Sequence, residues 1–138
     1  MRKTFLRLGS FAALAAVALG AFGSHGLKEA VTPEQLNTFE IGVRYQFYHA
    51  LALLAVGLLL YFRKTPLLPW AGWSFLAGIF LFSGSLYLLA VNDILQLSTS
   101  LLGPMTPIGG TFFILGWGLF LASTYQENQK MYRSKQPE

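Results

Sequence analysis

The stretch that decides the fold is WAGWSFLAGIFLFSGSLYLLAV, which runs from Trp70 to Val91 without a charged residue. A hydrocarbon core about 30 Å thick is crossed by roughly 20 helical residues, because each residue of an α-helix advances about 1.5 Å. The stretch also lacks the polar–apolar alternation that is typical of a membrane β-strand. It therefore predicts a membrane-spanning helix.

Three more apolar stretches have a similar length, at about residues 5–23, 43–62 and 107–125. Hydrophobic residues make up 54% of the chain and charged residues only 12%, whereas soluble domains have about 25% charged residues. We therefore expect one membrane domain over residues 1–138, of the all-α class: an integral membrane four-helix bundle with a polar tail at 126–138. The partner of such surfaces is the lipid bilayer.

Helix starts are indicated by a threonine followed by a proline, at Thr32-Pro33, Thr65-Pro66 and Thr106-Pro107. The threonine hydroxyl caps the helix, and proline suits the first helical position because its missing N–H is not needed there. Gln35 would complete a capping box with Thr32. Counted from Pro33, the second helix continues to Phe62.

The first apolar stretch has a second interpretation, as a cleaved signal peptide, because a basic start precedes an apolar run that ends in the small residues ALGA at 18–21. The run is long for such a peptide, and no polar secreted domain follows it. Small residues at four-residue spacing favour a retained helix that packs closely on another: Ala12, Ala16, Gly20 and Ser24. The same packing role is predicted in the third span for Ser83, Gly84 and Ser85.

Lysine and arginine positions set the expected orientation. Lys28 and Arg44 lie on one side of the membrane, and the other eight cations lie on the opposite side: Arg2, Lys3, Arg7, Arg63, Lys64, Lys130, Arg133 and Lys135. Cytoplasmic loops carry the excess of cations, so both termini are expected in the cytoplasm. Cations confined to termini and loops indicate a membrane protein, and no nucleic-acid partner is expected.

In this topology most polar residues of the four spans lie in the outer half of the membrane, next to the polar residues of the outer connections. The candidate binding residues are His25, Glu40, Arg44, Gln46 and His49. Ionisable groups inside a membrane are costly and often mark a functional site. A structural alternative stays open, in which Glu40 and Arg44 anchor a helix as an i,i+4 pair and His49 forms a hydrogen bond between helices.

Catalytic and metal-binding motifs are missing from the sequence. It contains no G-x-S-x-G, H-E-x-x-H or G-x-x-x-x-G-K pattern. His25 and His49 lack the spacing of metal ligands, and the chain has no cysteine. We therefore expect no catalytic residue, no metal and no cofactor.

Four motifs together resemble a known family: GAFGSHGL at 20–27, YQFYHAL at 45–51, FSGSLY at 82–87 and GPMTPIGG at 103–110. In this order they resemble the small four-span membrane proteins of domain of unknown function 423, which are similar to transmembrane protein 256 of animals. The resemblance covers about residues 5–125. It implies a multi-pass protein of the bacterial inner membrane with no assigned activity, and it supplies no catalytic residue or cofactor.

Three functional classes follow from these observations. The favoured class is a non-enzymatic packing or partner-binding membrane protein, because small-residue faces are abundant; its partner would be a second copy or another membrane protein. The alternative is a permeation or small-ligand binding protein that uses the outer polar cluster. An enzyme is the third class, and no motif supports it.

The cation distribution generates a first testable prediction. Reporter fusions at Glu138 and in the Arg63–Lys64 connection should report the cytoplasm, and fusions near Thr32 or Ser98 should report the far side, because cations resist translocation. An odd number of spans, or a shortened N-terminus detected by intact mass, would contradict this topology.

Overall fold

The structure, a computed structural model, describes residues 1–97, 99–100 and 102–133, with only the main chain described for 127–133. Its helices are α1 (Arg2–His25), α2 (Pro33–Phe62), α3 (Leu67–Ala90), α4 (Asn92–Leu95) and α5 (Leu102–Arg133), with a short 3₁₀ helix at Leu27–Glu29. Helices α1, α2, α3 and α5 are long and apolar enough to cross a membrane. No strand occurs in the described ranges, and the predicted all-α, four-helix membrane fold is confirmed.

Most helices extend past the apolar stretches that predict them, because a helix does not have to end where the hydrocarbon ends. Helix α2 runs from Pro33 to Phe62, so its first turns precede the apolar stretch at 43–62. Helix α3 ends at Ala90, one residue before the end of the stretch 70–91. Helix α5 continues through the first part of the polar tail to Arg133, and residues 134–138 of that tail lie outside the described residues.

The start of α2 has the capping box that its sequence predicts. The Gln35 N–H donates to Thr32 Oγ1 at 3.3 Å, and the Thr32 N–H donates to Gln35 Oε1 at 2.9 Å. Pro33 occupies the first helical position. Two backbone N–H groups that would lack a partner are therefore satisfied at this end.

The predicted helix start at Thr106-Pro107 is wrong. Helix α5 begins at Leu102, and Pro107 lies inside it. A proline there removes the hydrogen bond that its own N–H would make to the carbonyl four residues earlier, that of Gly103. The Thr106 hydroxyl lies 2.8 Å from Ser85 Oγ, so it joins α5 to α3 instead of capping a helix.

The four long helices pack as neighbours in chain order. Helix α1 packs along α2, α2 along α3, and α3 along α5. Helix α1 also reaches α3 near its own start, where the rings of Phe5 and Trp73 meet edge to face with centroids 5.5 Å apart. Among the described residues, the main chain of α5 lies along α3 and makes few or no close approaches to α1 or α2. Helix α5 is therefore attached to the bundle mainly through α3.

Glycines set the distance between α3 and α5. A Cβ on Gly109 would collide with the main chain of Phe82, and one on Gly78 would collide with the Phe113 ring. A Cβ on Gly116 would lie 2.6 Å from the Phe75 ring. Each helix therefore supplies a gap for a large ring of the other, which is the close packing that membrane helices achieve with small residues.

The predicted packing residues differ in their surroundings. Ala12 and Ala16 are buried on α1, and a Cβ on Gly20 would lie 3.4 Å from Val43 of α2. Ser24 is exposed and its hydroxyl donates to the Gly20 carbonyl. On α3, Ser83 and Ser85 are buried. A Cβ on Gly84 would meet nothing within 4 Å among the described residues, so the predicted close packing has no partner for Gly84 there.

Helix α3 changes its winding near the middle. It is α-helical over Leu67–Gly78 and Gly84–Ala90, and Ile79–Ser83 forms a π-helical turn between these parts. Compared with the same residues wound as uninterrupted α-helix, the extra residue in the wider turn changes the direction in which the second part faces. Tyr87, in the second part, consequently packs against Gly42 of α2. Ser83 Oγ is fully buried at this turn and has no hydrogen-bond partner among the described residues.

Two glycines of α5 provide a matched test of this packing. Gly116→Ala should lower the free energy of unfolding by about 1–3 kcal/mol, because the new methyl overlaps the Phe75 ring, which is itself fully buried and has no room to move. Gly118→Ala is the control, since its Cβ meets nothing within 4 Å and the change in helix propensity is the same. Thermal unfolding in mild detergent measures both. Equal melting temperatures for the two variants would contradict the packing.

Candidate functional site

Gln46 joins three helices inside the bundle. Its side chain is buried on α2, and Nε2 donates to the Ala12 carbonyl of α1 at 2.9 Å. Its Oε1 accepts a hydrogen bond from the Tyr87 hydroxyl of α3 at 2.9 Å. Both ends of the amide therefore have partners on different helices, as a buried polar side chain requires.

His49 lies one turn further along α2 and faces α5. Its side chain is only 5% exposed. Nδ1 lies 2.8 Å from the Tyr45 carbonyl oxygen, which can only accept, so Nδ1 carries the proton. Nε2 lies 3.2 Å from Trp117 Nε1, which can only donate, so Nε2 accepts. The two bonds assign a neutral ring with one tautomer, and both nitrogens are in use.

Aromatic rings surround His49 and fill the space between α2 and α5. The imidazole stacks on Phe113 with centroids 3.4 Å apart and planes 7° from parallel. The Phe75 centroid lies 5.6 Å from it, and Tyr45 packs on Phe82 at 4.6 Å. These rings explain how α2 and α5 interact although their main chains stay apart.

An open groove lies beside this ring cluster, between α2 and α5. Its volume is about 600 Å³, and we call it the lateral groove. Carbon atoms form most of its wall. Ile114 stands on its rim with 75% of the side chain exposed. The residues that line it are Tyr45, His49, Phe82, Pro107, Gly110, Thr111, Phe113, Ile114 and Trp117.

Glu40 and Arg44 lie elsewhere, where α2 faces α1. They line a hollow of about 250 Å³ together with Gly20, Ser24 and two apolar residues. Arg44 Nε donates to the main-chain oxygen of Glu40 at 3.4 Å, which is a long hydrogen bond. The i,i+4 spacing thus brings Arg44 to the backbone of Glu40.

His25 is the last residue of α1 and is exposed. Its Nδ1 lies 3.0 Å from the Ala21 carbonyl, one turn back on the same helix. The five candidate residues therefore occupy three regions: the end of α1, the hollow between α1 and α2, and the bundle interior. Gln46 and His49 share the interior, although they face different helices.

The partners of His49 were missed by sequence reasoning. Phe113 and Trp117 are spaced i,i+4 on α5 and so share one helix face, which is the signal that indicates an aromatic contact. Tyr87, the partner of Gln46, lies in the FSGSLY motif without any local sign of its bond. Tyr87 lies 41 positions after Gln46, and Trp117 lies 68 positions after His49, so only the tertiary structure joins each pair.

Comparison with known proteins agrees with this architecture. The family described as "Protein of unknown function (DUF423)" matches residues 19–110, a range that includes α2 and α3. Gln46, His49 and their partners Tyr45 and Tyr87 lie within this range. Their other two partners, Ala12 and Trp117, lie outside it. The chain belongs to this family.

Similar proteins occur in several bacteria. A UPF0382 membrane protein of Staphylococcus aureus strain RF122 is 42% identical over 90% of this chain and 97% of its own length. The UPF0382 membrane protein YwdK of Bacillus subtilis is 46% identical over 83% of this chain and 90% of its own length. A Staphylococcus epidermidis relative is 41% identical over 88% and 95%. No solved structure matches the chain. Each of these relatives is named as a membrane protein. With its four apolar helices, this chain is a multi-pass membrane protein.

The hydrogen bonds of His49 generate a testable prediction. His49→Ala should lower the free energy of unfolding by about 1–3 kcal/mol, because it leaves the Trp117 N–H without an acceptor at a part-buried position between two helices. Trp117→Phe should lower the free energy of unfolding by a smaller amount. The double variant should lower it by less than the sum of the two single effects, because the two residues share one bond. Thermal unfolding in detergent measures this coupling. Strictly additive effects would contradict the bond.

Proposed function

We propose that this protein is a non-enzymatic binding protein of the bacterial plasma (inner) membrane, with both termini in the cytoplasm. Its partner in this proposal is a second copy of itself, which places its α5 in the lateral groove. The observation that carries the proposal is the groove: an apolar opening between two helices, at the side of a bundle whose lateral surfaces face lipid.

Internal hydrogen bonding supports a non-enzymatic role. An acid–base catalyst needs an ionisable atom that reaches its substrate. Both ring nitrogens of His49 are bonded within the protein, and so are both ends of the Gln46 amide. The same bonds weigh against the alternative of a polar permeation path, because such a path needs polar atoms that face its lumen.

The shape of the groove supports a second copy as its occupant. Ile114 projects from α5 at the rim of the hollow, so a knob and a hole lie on the same face. A two-fold axis along the membrane normal would insert each Ile114 into the other groove, which is the self-complementary contact of a symmetric dimer. Gly110 keeps this face of α5 low beside the knob, because glycine has no side chain to project into the hollow.

Localisation and orientation rest on two further observations. The similar proteins described above are membrane proteins of bacteria. Eight of the ten cations lie on the side of the chain ends, which favours cytoplasmic termini.

Single-cysteine variants test the dimer, since the chain has no cysteine of its own. Thr111→Cys, in the groove, should form disulfide-linked dimers in oxidised native membranes. Leu14→Cys is the control on α1, where the side chain is 67% exposed. Adding Ile114→Ala to Thr111→Cys should reduce cross-linking at least about tenfold by removing the knob. Adding Leu115→Ala, which is exposed but outside the groove, should leave it unchanged.

Two outcomes would overturn this proposal. Equal cross-linking of Thr111→Cys and Leu14→Cys would indicate random encounters in the membrane. A monomer in native mass spectra that retains a small apolar molecule, lost on Gly110→Leu, would assign the groove to a small ligand instead.

A further inference from the structure

Cations from two separate segments meet at the end of the bundle opposite His25. Helix α1 begins here, and the connection between α2 and α3 turns beside it. Two adjoining hollows of about 310 and 320 Å³ lie between these segments and share Met1, Arg2 and Tyr61. Lys3 lines one hollow, and Arg63 and Lys64 line the other. We call the pair of hollows the basic cleft.

The charged side chains that the structure describes around the basic cleft are all cations. Arg2, Lys3 and Lys64 are exposed, and the Arg2 guanidinium stacks 5.0 Å above the centre of the Tyr61 ring. This cation–π contact keeps Arg2 at the mouth of the cleft. The acidic residues whose side chains the structure describes belong to the other end of the bundle: Glu29, Glu34, Glu40 and Asp93. These cations favour an anion as the ligand of this cleft.

Exposed aromatic side chains locate the cleft at the membrane surface. Tyr61, Phe62 and Trp70 border the same connection and are exposed. Aromatic rings at the ends of membrane helices sit at the level of the lipid headgroups. The anion present at the highest concentration at that depth is the phosphate of a phospholipid, whose acyl chains can continue along the apolar faces of the helices.

We propose that the basic cleft binds a phospholipid whose headgroup carries a net negative charge, with the phosphate between Arg2, Lys3 and Lys64. A zwitterionic headgroup fits less well, because its ammonium would lie against three cations with no described carboxylate to receive it. Basic pockets between membrane helices bind anionic headgroups in the same way. This inference is independent of the lateral groove, which lies on another face of the bundle.

Native mass spectrometry tests the inference with two lipid probes of identical acyl chains, phosphatidylglycerol and phosphatidylcholine. The full chain should retain phosphatidylglycerol in preference. Lys64→Gln and Arg2→Gln should each reduce that retention about fivefold, the effect of one cation at a membrane surface. Lys28→Gln is the control, since it removes the same charge from the opposite end. Lys64→Arg keeps the positive charge and should therefore retain phosphatidylglycerol as well as the unsubstituted chain does.

Melting temperatures check that the variants fold, which is expected because the substituted side chains are exposed. Equal losses in Lys64→Gln and Lys28→Gln would show an effect of net charge alone and would overturn the proposal. Equal retention of the two lipids would also overturn it. Displacement of phosphatidylglycerol by an excess of inorganic phosphate would indicate a site for free phosphate, which contradicts a lipid site.

Discussion

The arrangement of the long helices depends on the hydrogen bonds that the buried Gln46 amide must make inside the protein. Hydrocarbon offers neither donors nor acceptors, so a buried amide must find both within the protein. The Ala12 carbonyl and the Tyr87 hydroxyl meet this need from two different helices. One turn later, His49 does the same with Trp117 of α5. Two neighbouring positions of α2 therefore hold the other three long helices at a defined height.

Two kinds of helix contact follow from the side chains available. Where glycines face rings, as at Gly116 and Phe75, the backbones approach closely and van der Waals contact holds them. Between α2 and α5 the stacked rings of His49 and Phe113 act as a spacer. The lateral groove lies beside these stacked rings, so its width depends on His49, which also accepts the hydrogen bond from Trp117.

The fold was largely predictable from sequence, and the interior contacts were not. Four apolar stretches predict four helices because the membrane requires a fixed length of apolar residues, and the Thr32 capping box is a local pattern. The start of α5 was missed because Pro104 and Pro107 both fit within an early helix, where few hydrogen bonds are lost. The pairing of His49 with Trp117 depends on how whole helices pack, and no local pattern contains that information.

The π-helical turn at Ile79–Ser83 sets the direction in which the second part of α3 faces. The turn contains one residue more than an α-helical turn does. If the same residues wound as uninterrupted α-helix, Gly84–Ala90 would turn by about 100° relative to the part before them. Tyr87 would then point away from Gln46, and Ser85 away from Thr106, although no residue at either contact had changed. Loss of one residue from the turn would instead leave both contacts in register, because an ordinary α-helical turn would replace the wider one. A single deletion is therefore better tolerated at Ile79–Ser83 than elsewhere in α3.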